Sequence, residues 1–77
     1  MTNPNVAFGK LIADLRQSAQ LSQEELADRA AIHRTYVSQL ERGLKSPTLV
    51  TLLRLSKALG TTPSKLMRQL ETDIGGF

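Results

Sequence analysis

Apolar residues recur at Phe8, Leu11, Ile12 and Leu15, the i, i+3, i+4, i+7 spacing of a helix that buries one face. This helix is expected to run to about Ser18 from the polar lead Met1 to Asn5, in which Asn3 or Asn5 can serve as N-cap. Gly9 lies inside it and costs about 1 kcal/mol of helix propensity against alanine, so either packing offsets the loss or the first turn is frayed. Next, Ser22-Gln23-Glu24-Glu25 fits a capping box, which starts a short second helix at Gln23 with Leu26, Ala27 and Ala30 on its apolar edge. Ala31 and Ile32 leave only a few residues before a third helix within His33 to Gly43. Two short helices joined so tightly must cross steeply, as a helix-turn-helix does.

The third helix has one apolar and one donor-rich edge. At about 100° per residue, Arg34, Thr35, Ser38, Gln39 and Arg42 fall within an arc of roughly 140°, with Val37 and Leu40 pointing away. None of the five is acidic. Such a face fits an anionic, hydrogen-bonding surface such as a DNA groove, and considered alone it fits an ordinary solvated helix face as well. Gly43 suits the position after the helix, and Leu44-Lys45-Ser46-Pro47 makes a basic loop. Thr48 caps a fourth helix whose Leu49, Leu52, Leu53, Leu55, Ala58 and Leu59 cover more than half its circumference, which implies a central position or partial burial in a partner. Gly60 ends it, and Thr62-Pro63 opens a fifth helix with Leu66, Met67 and Leu70 on one side. The reading is one all-α domain over residues 1–77, with a core of about 6–71 and a loose tail at 72–77.

Charge sharpens this picture. Ten Lys and Arg against seven Asp and Glu give +3 over 77 residues, a mild excess. Its distribution is uneven. Met1 to Ile32 balances at −1, with Lys10, Arg16 and Arg29 against Asp14, Glu24, Glu25 and Asp28. His33 to Arg68 carries Arg34, Arg42, Lys45, Arg54, Lys57, Lys65 and Arg68 against Glu41 alone. There is no cysteine, so thiolate chemistry, thiolate metal sites and disulfides are excluded. No apolar run is long enough to span a membrane and the first residues lack the pattern of a secretory signal, so the expected location is the cytoplasm. Three aromatic residues, Phe8, Tyr36 and Phe77, are too few for a platform that stacks single-stranded bases.

In this order of elements the chain resembles the Cro/repressor-type, or XRE, helix-turn-helix family. The resemblance rests on Leu21-Ser22-Gln23-Glu24-Glu25-Leu26-Ala27, on Arg34 through Gly43, on Ser46-Pro47-Thr48-Leu49 and on Leu59-Gly60, and covers about Phe8 to Leu70. It implies a compact five-helix, lambda-repressor-like domain in which the third helix enters the major groove of duplex DNA. By position, Arg34, Thr35, Ser38, Gln39 and Arg42 would read base edges, and Gln23, His33, Tyr36, Lys45 and Thr48 would contact or border phosphate. Arg16 and Glu41 match a pair that links the first helix to the third. Leu49, Leu53, Leu66, Met67 and Leu70 would form a homodimer interface, and an inverted-repeat operator follows from two-fold pairing. Two positions depart from many relatives: Ala31 stands where glycine is common, and His33 where a Ser or Thr caps the helix.

The expected function is therefore homodimeric, sequence-specific control of transcription, with RNA polymerase as a candidate contact and no cofactor, metal or small-molecule substrate. The run Arg34-Thr35-Tyr36-Val37-Ser38 is most similar to restriction-modification controller proteins, with phage-type repressors and antitoxin-like autoregulators as alternatives. An enzyme is disfavoured, because one histidine, no Gly-rich phosphate loop and no converging carboxylates leave nothing to organise a reaction. The rival from another class is a helical protein-interaction module docking through the fourth and fifth helices. Such a module has no use for the donor-rich third helix.

Overall fold

The computed structural model describes residues 3–75; Met1, Thr2, Gly76 and Phe77 lie outside the described residues. Five helices follow one another: α1 Pro4–Ser18, α2 Gln23–Ala30, α3 Arg34–Glu41, α4 Leu49–Ala58 and α5 Pro63–Ile74. Each start has a local cause. Asn3 accepts from the backbone N–H groups of Asn5 and Val6, and Ser22 and Glu25 complete the reciprocal capping box of α2. Thr48 accepts from Thr51 and Thr62 from Lys65, whereas His33 precedes α3 without any side-chain cap.

The helix ends are equally local. After α1, the N–H of Leu21 reaches the carbonyl of Arg16; after α2, Ile32 reaches Ala27; after α3, Leu44 reaches Gln39; after α4, Thr61 reaches Ser56. Each of these bonds closes around one residue of positive φ, namely Gln20, Ala31, Gly43 and Gly60. Ala31, at φ 57°, makes the turn between α2 and α3 in the left-handed region despite its Cβ.

The core joins Phe8, Leu11 and Ile12 of α1 to Leu26, Ala27 and Ala30 of α2, Val37 and Leu40 of α3, Leu55 of α4 and Leu66 of α5. α3 packs against both α1 and α2, α5 closes over α1, and α4 bridges α2 and α5. Gly9 shows why α3 can lie so close to α1. A Cβ there would stand 2.7 Å from the Glu41 carbonyl oxygen and nearer still to that of Leu40, so the helix-propensity cost buys backbone-to-backbone contact. The first turn is not frayed; Asn3 caps it and packing holds it.

Two expectations need correction. Regular structure does not stop before Thr72, because α5 continues to Ile74: Thr72 bonds back to the Arg68 carbonyl, Gln69 donates to Asp73, and Gly75 ends the helix at φ 71°. The remainder of the expected tail, Gly76 and Phe77, falls outside the described residues. Leu66 is not a surface residue; at 2% exposure it is part of the core. No helix among the described residues is long and apolar enough to cross a membrane.

Candidate nucleic-acid interface

The geometry of α3 follows from what it must bury. Val37 and Leu40 point into the core, which leaves Arg34 and Thr35 exposed and Ser38 and Gln39 half-buried on the flank. Arg42 caps the C-terminal end and is exposed on the same edge. The five base-reading candidates therefore share one accessible edge of a helix fixed from behind. Beside it runs an open cleft lined by His33, Thr35, Tyr36, Gln39 and Lys45, so the reading edge and the basic loop border the same concavity.

One acid, Glu41, sits at the end of this helix, and the fold neutralises it. Arg16 Nε donates to Glu41 Oε2 at 2.7 Å and its terminal nitrogen to Oε1 at 3.1 Å, a two-pronged pair. The side chains retain only 14% and 7% exposure. A further Arg16 nitrogen donates to the carbonyl of Leu21 at 2.9 Å. The hydrogen bond to Glu41 and the attraction of its charge raise the Arg16 pKa further above its usual value against the opposing effect of burial. Gln23 Nε2 donates to Glu41 Oε1 at 3.0 Å. A single carboxylate thus ties the end of α1, the start of α2 and the end of α3, and so holds the angle between the two helices of the turn.

The residues expected at phosphate differ in what they have left to offer. Lys45 and His33 are exposed, and neither takes part in a side-chain hydrogen bond among the described residues. Gln23, half-buried, spends one amide N–H on Glu41 and keeps the other, beside backbone N–H groups at the start of α2. The Tyr36 hydroxyl donates to the Ser46 carbonyl at 3.4 Å, a long bond readily exchanged for a charged acceptor. Thr48 is different. Its hydroxyl donates to Thr51 Oγ1 at 2.9 Å and accepts from the Thr51 N–H, so its one hydroxyl proton is committed inside the protein and is not free for a phosphate oxygen.

The apolar surface also sorts itself. On α4, Leu49 is 72%, Val50 56% and Leu53 47% exposed, and on α5 Met67 is 46% exposed. Leu70 is half-buried against the core and Leu66 is wholly within it, so Leu66 drops out of the interface set. A groove from Pro47 and Leu49 to Met67 and Leu70 joins the two helices. Sequence reasoning missed Val50, which its place three residues before Leu53 could have marked, and it had no signal for the hydrogen bond of Gln23 to Glu41. Among the described residues no group of three His, Asp or Glu is placed to hold a metal ion.

Comparison with known proteins bears on this arrangement. The helix-turn-helix family HTH_3 matches residues 12–66. Control protein C.BamHI of Bacillus amyloliquefaciens is 39% identical over 66 residues, covering 84% of this chain and 82% of that protein. The crystal structure of restriction-modification controller protein C.AhdI from Aeromonas hydrophila superposes with a TM-score of 0.78 at 40% identity, covering 80% of this chain and 94% of the other. Controller protein C.Esp1396I, solved as a tetramer on its 35 base-pair operator, shares the fold at a TM-score of 0.85 and 24% identity, covering 96% and 97% of the two chains. This chain, with its α2–α3 turn set behind an acid-free edge, belongs to the XRE-type helix-turn-helix family of DNA-binding transcriptional regulators.

Proposed function

We propose that the protein acts as a homodimeric controller of the restriction-modification type, reading an inverted-repeat operator with α3 in the major groove. The observation that carries the reading is the accessible edge Arg34, Thr35, Ser38, Gln39 and Arg42, from which the one acid of α3, Glu41, is held back in the Arg16 pair. Arg34 and Arg42 can each grip guanine O6 and N7, Gln39 can pair with adenine, and the Thr35 methyl suits the methyl of thymine. Lys45, His33, Tyr36 and the start of α2 at Gln23 would meet phosphate and set the register without reading sequence. Similarity to C.BamHI and C.AhdI supports the subtype, and the operator complex of C.Esp1396I supports duplex DNA as the partner of this fold.

Leu49, Val50, Leu53 and Met67 supply the dimer interface in this reading, since four large apolar side chains on neighbouring helices are costly to leave in water. Pairing about a two-fold axis would set the two α3 helices about 34 Å apart, one turn of DNA. RNA polymerase enters the reading as a contact of the DNA-bound dimer, with no residue assigned to it, and the cytoplasm as its compartment.

Selection of bound duplexes from a random pool tests the reading, followed by titration of the winner against scrambled DNA at two salt concentrations. The expected result is an inverted repeat with half-sites about ten base pairs apart and a roughly thousand-fold preference over scrambled DNA. Weak, salt-sensitive binding to every duplex without enrichment would refute it and favour docking of a protein on α4 and α5.

A further inference from the structure

The basic loop between α3 and α4 is fastened to the first turn of α1. Ser46 Oγ donates to Asn5 Oδ1 at 2.7 Å, joining positions 41 residues apart. The Ser46 carbonyl accepts the Tyr36 hydroxyl. Gly43, which opens the loop, lies so close to α1 that a Cβ there would be 2.8 Å from Val6 Cγ2 and 2.9 Å from Val6 Cα. The first turn of α1 is rigid at this point, because the Asn5 N–H donates to Asn3 Oδ1 at 2.9 Å. Lys45 is therefore carried on a segment pinned on both sides, at Gly43 and at Ser46, to a capped helix.

We propose that Asn5 is a positioning residue for DNA binding: by holding Ser46, it keeps Lys45 aimed at the phosphate backbone before DNA arrives. The inference rests on the DNA-binding reading above. A surface loop that must be ordered on contact loses conformational entropy at that moment, whereas a loop ordered in the free protein has already lost it. Asn5 does this from the first turn of α1, and not from α3 or the loop itself. It caps nothing, since Asn3 supplies the cap of α1, so replacing it by alanine removes the latch and leaves the helix start intact.

The test uses the full chain on two duplexes, the selected operator and a scrambled sequence, with Asn5→Ala, Ser46→Ala, Lys45→Ala and the double variant Asn5→Ala with Lys45→Ala. Thermal melting of each variant establishes that it is folded. Loss of one hydrogen bond predicts roughly three- to tenfold weaker binding for Asn5→Ala, and the same for Ser46→Ala. The loss should be equal on both duplexes, because phosphate carries no sequence information. The salt slope should fall toward that of Lys45→Ala. In the Lys45→Ala background, Asn5→Ala should add nothing. An equal loss with and without Lys45, or unchanged affinity in the single variants, overturns the latch while leaving DNA binding in place. A wild-type chain that binds neither duplex overturns the DNA-binding reading and the latch with it.

Discussion

Replacing Gly9 by alanine should destabilise this protein although alanine is the better helix former. In an open helix the change would add about 1 kcal/mol of stability. Here the added Cβ would meet the carbonyl oxygens of Leu40 and Glu41, the latter at 2.7 Å, where ordinary contact begins near 3.4 Å. Both partners are backbone atoms of the last turn of α3, so no rotamer change relieves the overlap. α1 and α3 must separate by several tenths of an ångström or more; forced overpacking costs about 1–3 kcal/mol, and overlap with two backbone oxygens that cannot rotate away falls in the upper part of that range, about 2–3 kcal/mol. The same separation would pull Arg16 from Glu41, whose two-pronged geometry at 2.7 and 3.1 Å depends on the two helices staying in register. After the propensity gain is subtracted, a net loss of about 1–2 kcal/mol remains. For a domain of this size that lowers the melting midpoint by about 4–15 °C. Urea titration followed by circular dichroism measures it, with Lys10→Ala, exposed on the next position, as a control within about 0.5 kcal/mol of wild type. A Gly9→Ala midpoint equal to or above wild type would refute the close-approach argument.

Further outcomes follow from the same geometry. Arg16→Ala leaves the Glu41 carboxylate without its cation at 7% exposure, and should cost about 3 kcal/mol in a denaturant titration, well beyond a surface ion pair; a loss below about 1 kcal/mol would show the pair to be superficial. Leu53→Asp should leave the melting temperature of the monomer fold nearly unchanged but shift sedimentation from dimer to monomer and weaken operator binding; an intact dimer would move the interface elsewhere. The Glu25 carboxyl is held below its ordinary value by the hydrogen bonds of the capping box with the Ser22 N–H and hydroxyl, and by the nearby Arg29 charge. A carboxyl depressed in the folded state stabilises above its unfolded pKa, near 4.5, and that contribution is lost as pH falls through the lower folded value. Melting temperature should accordingly fall less steeply below about pH 4.5 in Glu25→Gln than in wild type, and parallel curves would contradict the assignment.

Much of this architecture is written in short stretches of sequence, because the signals that set helix starts and ends act over three or four residues. Ser22 and Glu25 fix the start of α2, Thr48 and Thr62 cap α4 and α5, and Gly43 and Gly60 close the helices before them. The acid-free edge of α3 is legible for the same reason, since helical periodicity alone places Arg34, Ser38 and Arg42 together. Contacts between distant segments are not. Nothing near Gly9 announces that the carbonyls of Leu40 and Glu41 lie against it, and nothing near Asn5 announces Ser46. Leu66 and Met67 are neighbours of equal hydrophobicity, and only the packing of α5 on the rest of the core sends one inward and leaves the other out. The extent of α5 was missed for a related reason: Thr72 and Asp73 are weak helix formers, and their bonds to Arg68 and Gln69 extend the helix past them.

The central claim is that α3 reads base edges, and the most direct measurement of it is base-resolved affinity of Arg34→Ala. Wild type and variant are titrated against the selected operator and against every single base-pair change in one half-site. The expected result is a loss of about 1–3 kcal/mol on the selected operator and, at one base pair of each half-site, a preference that disappears in the variant while the other positions keep theirs. A loss spread evenly over all sequences would make Arg34 a phosphate contact, and unchanged affinity would remove it from the interface; either result contradicts the claim that Arg34, on this edge of α3, reads a base.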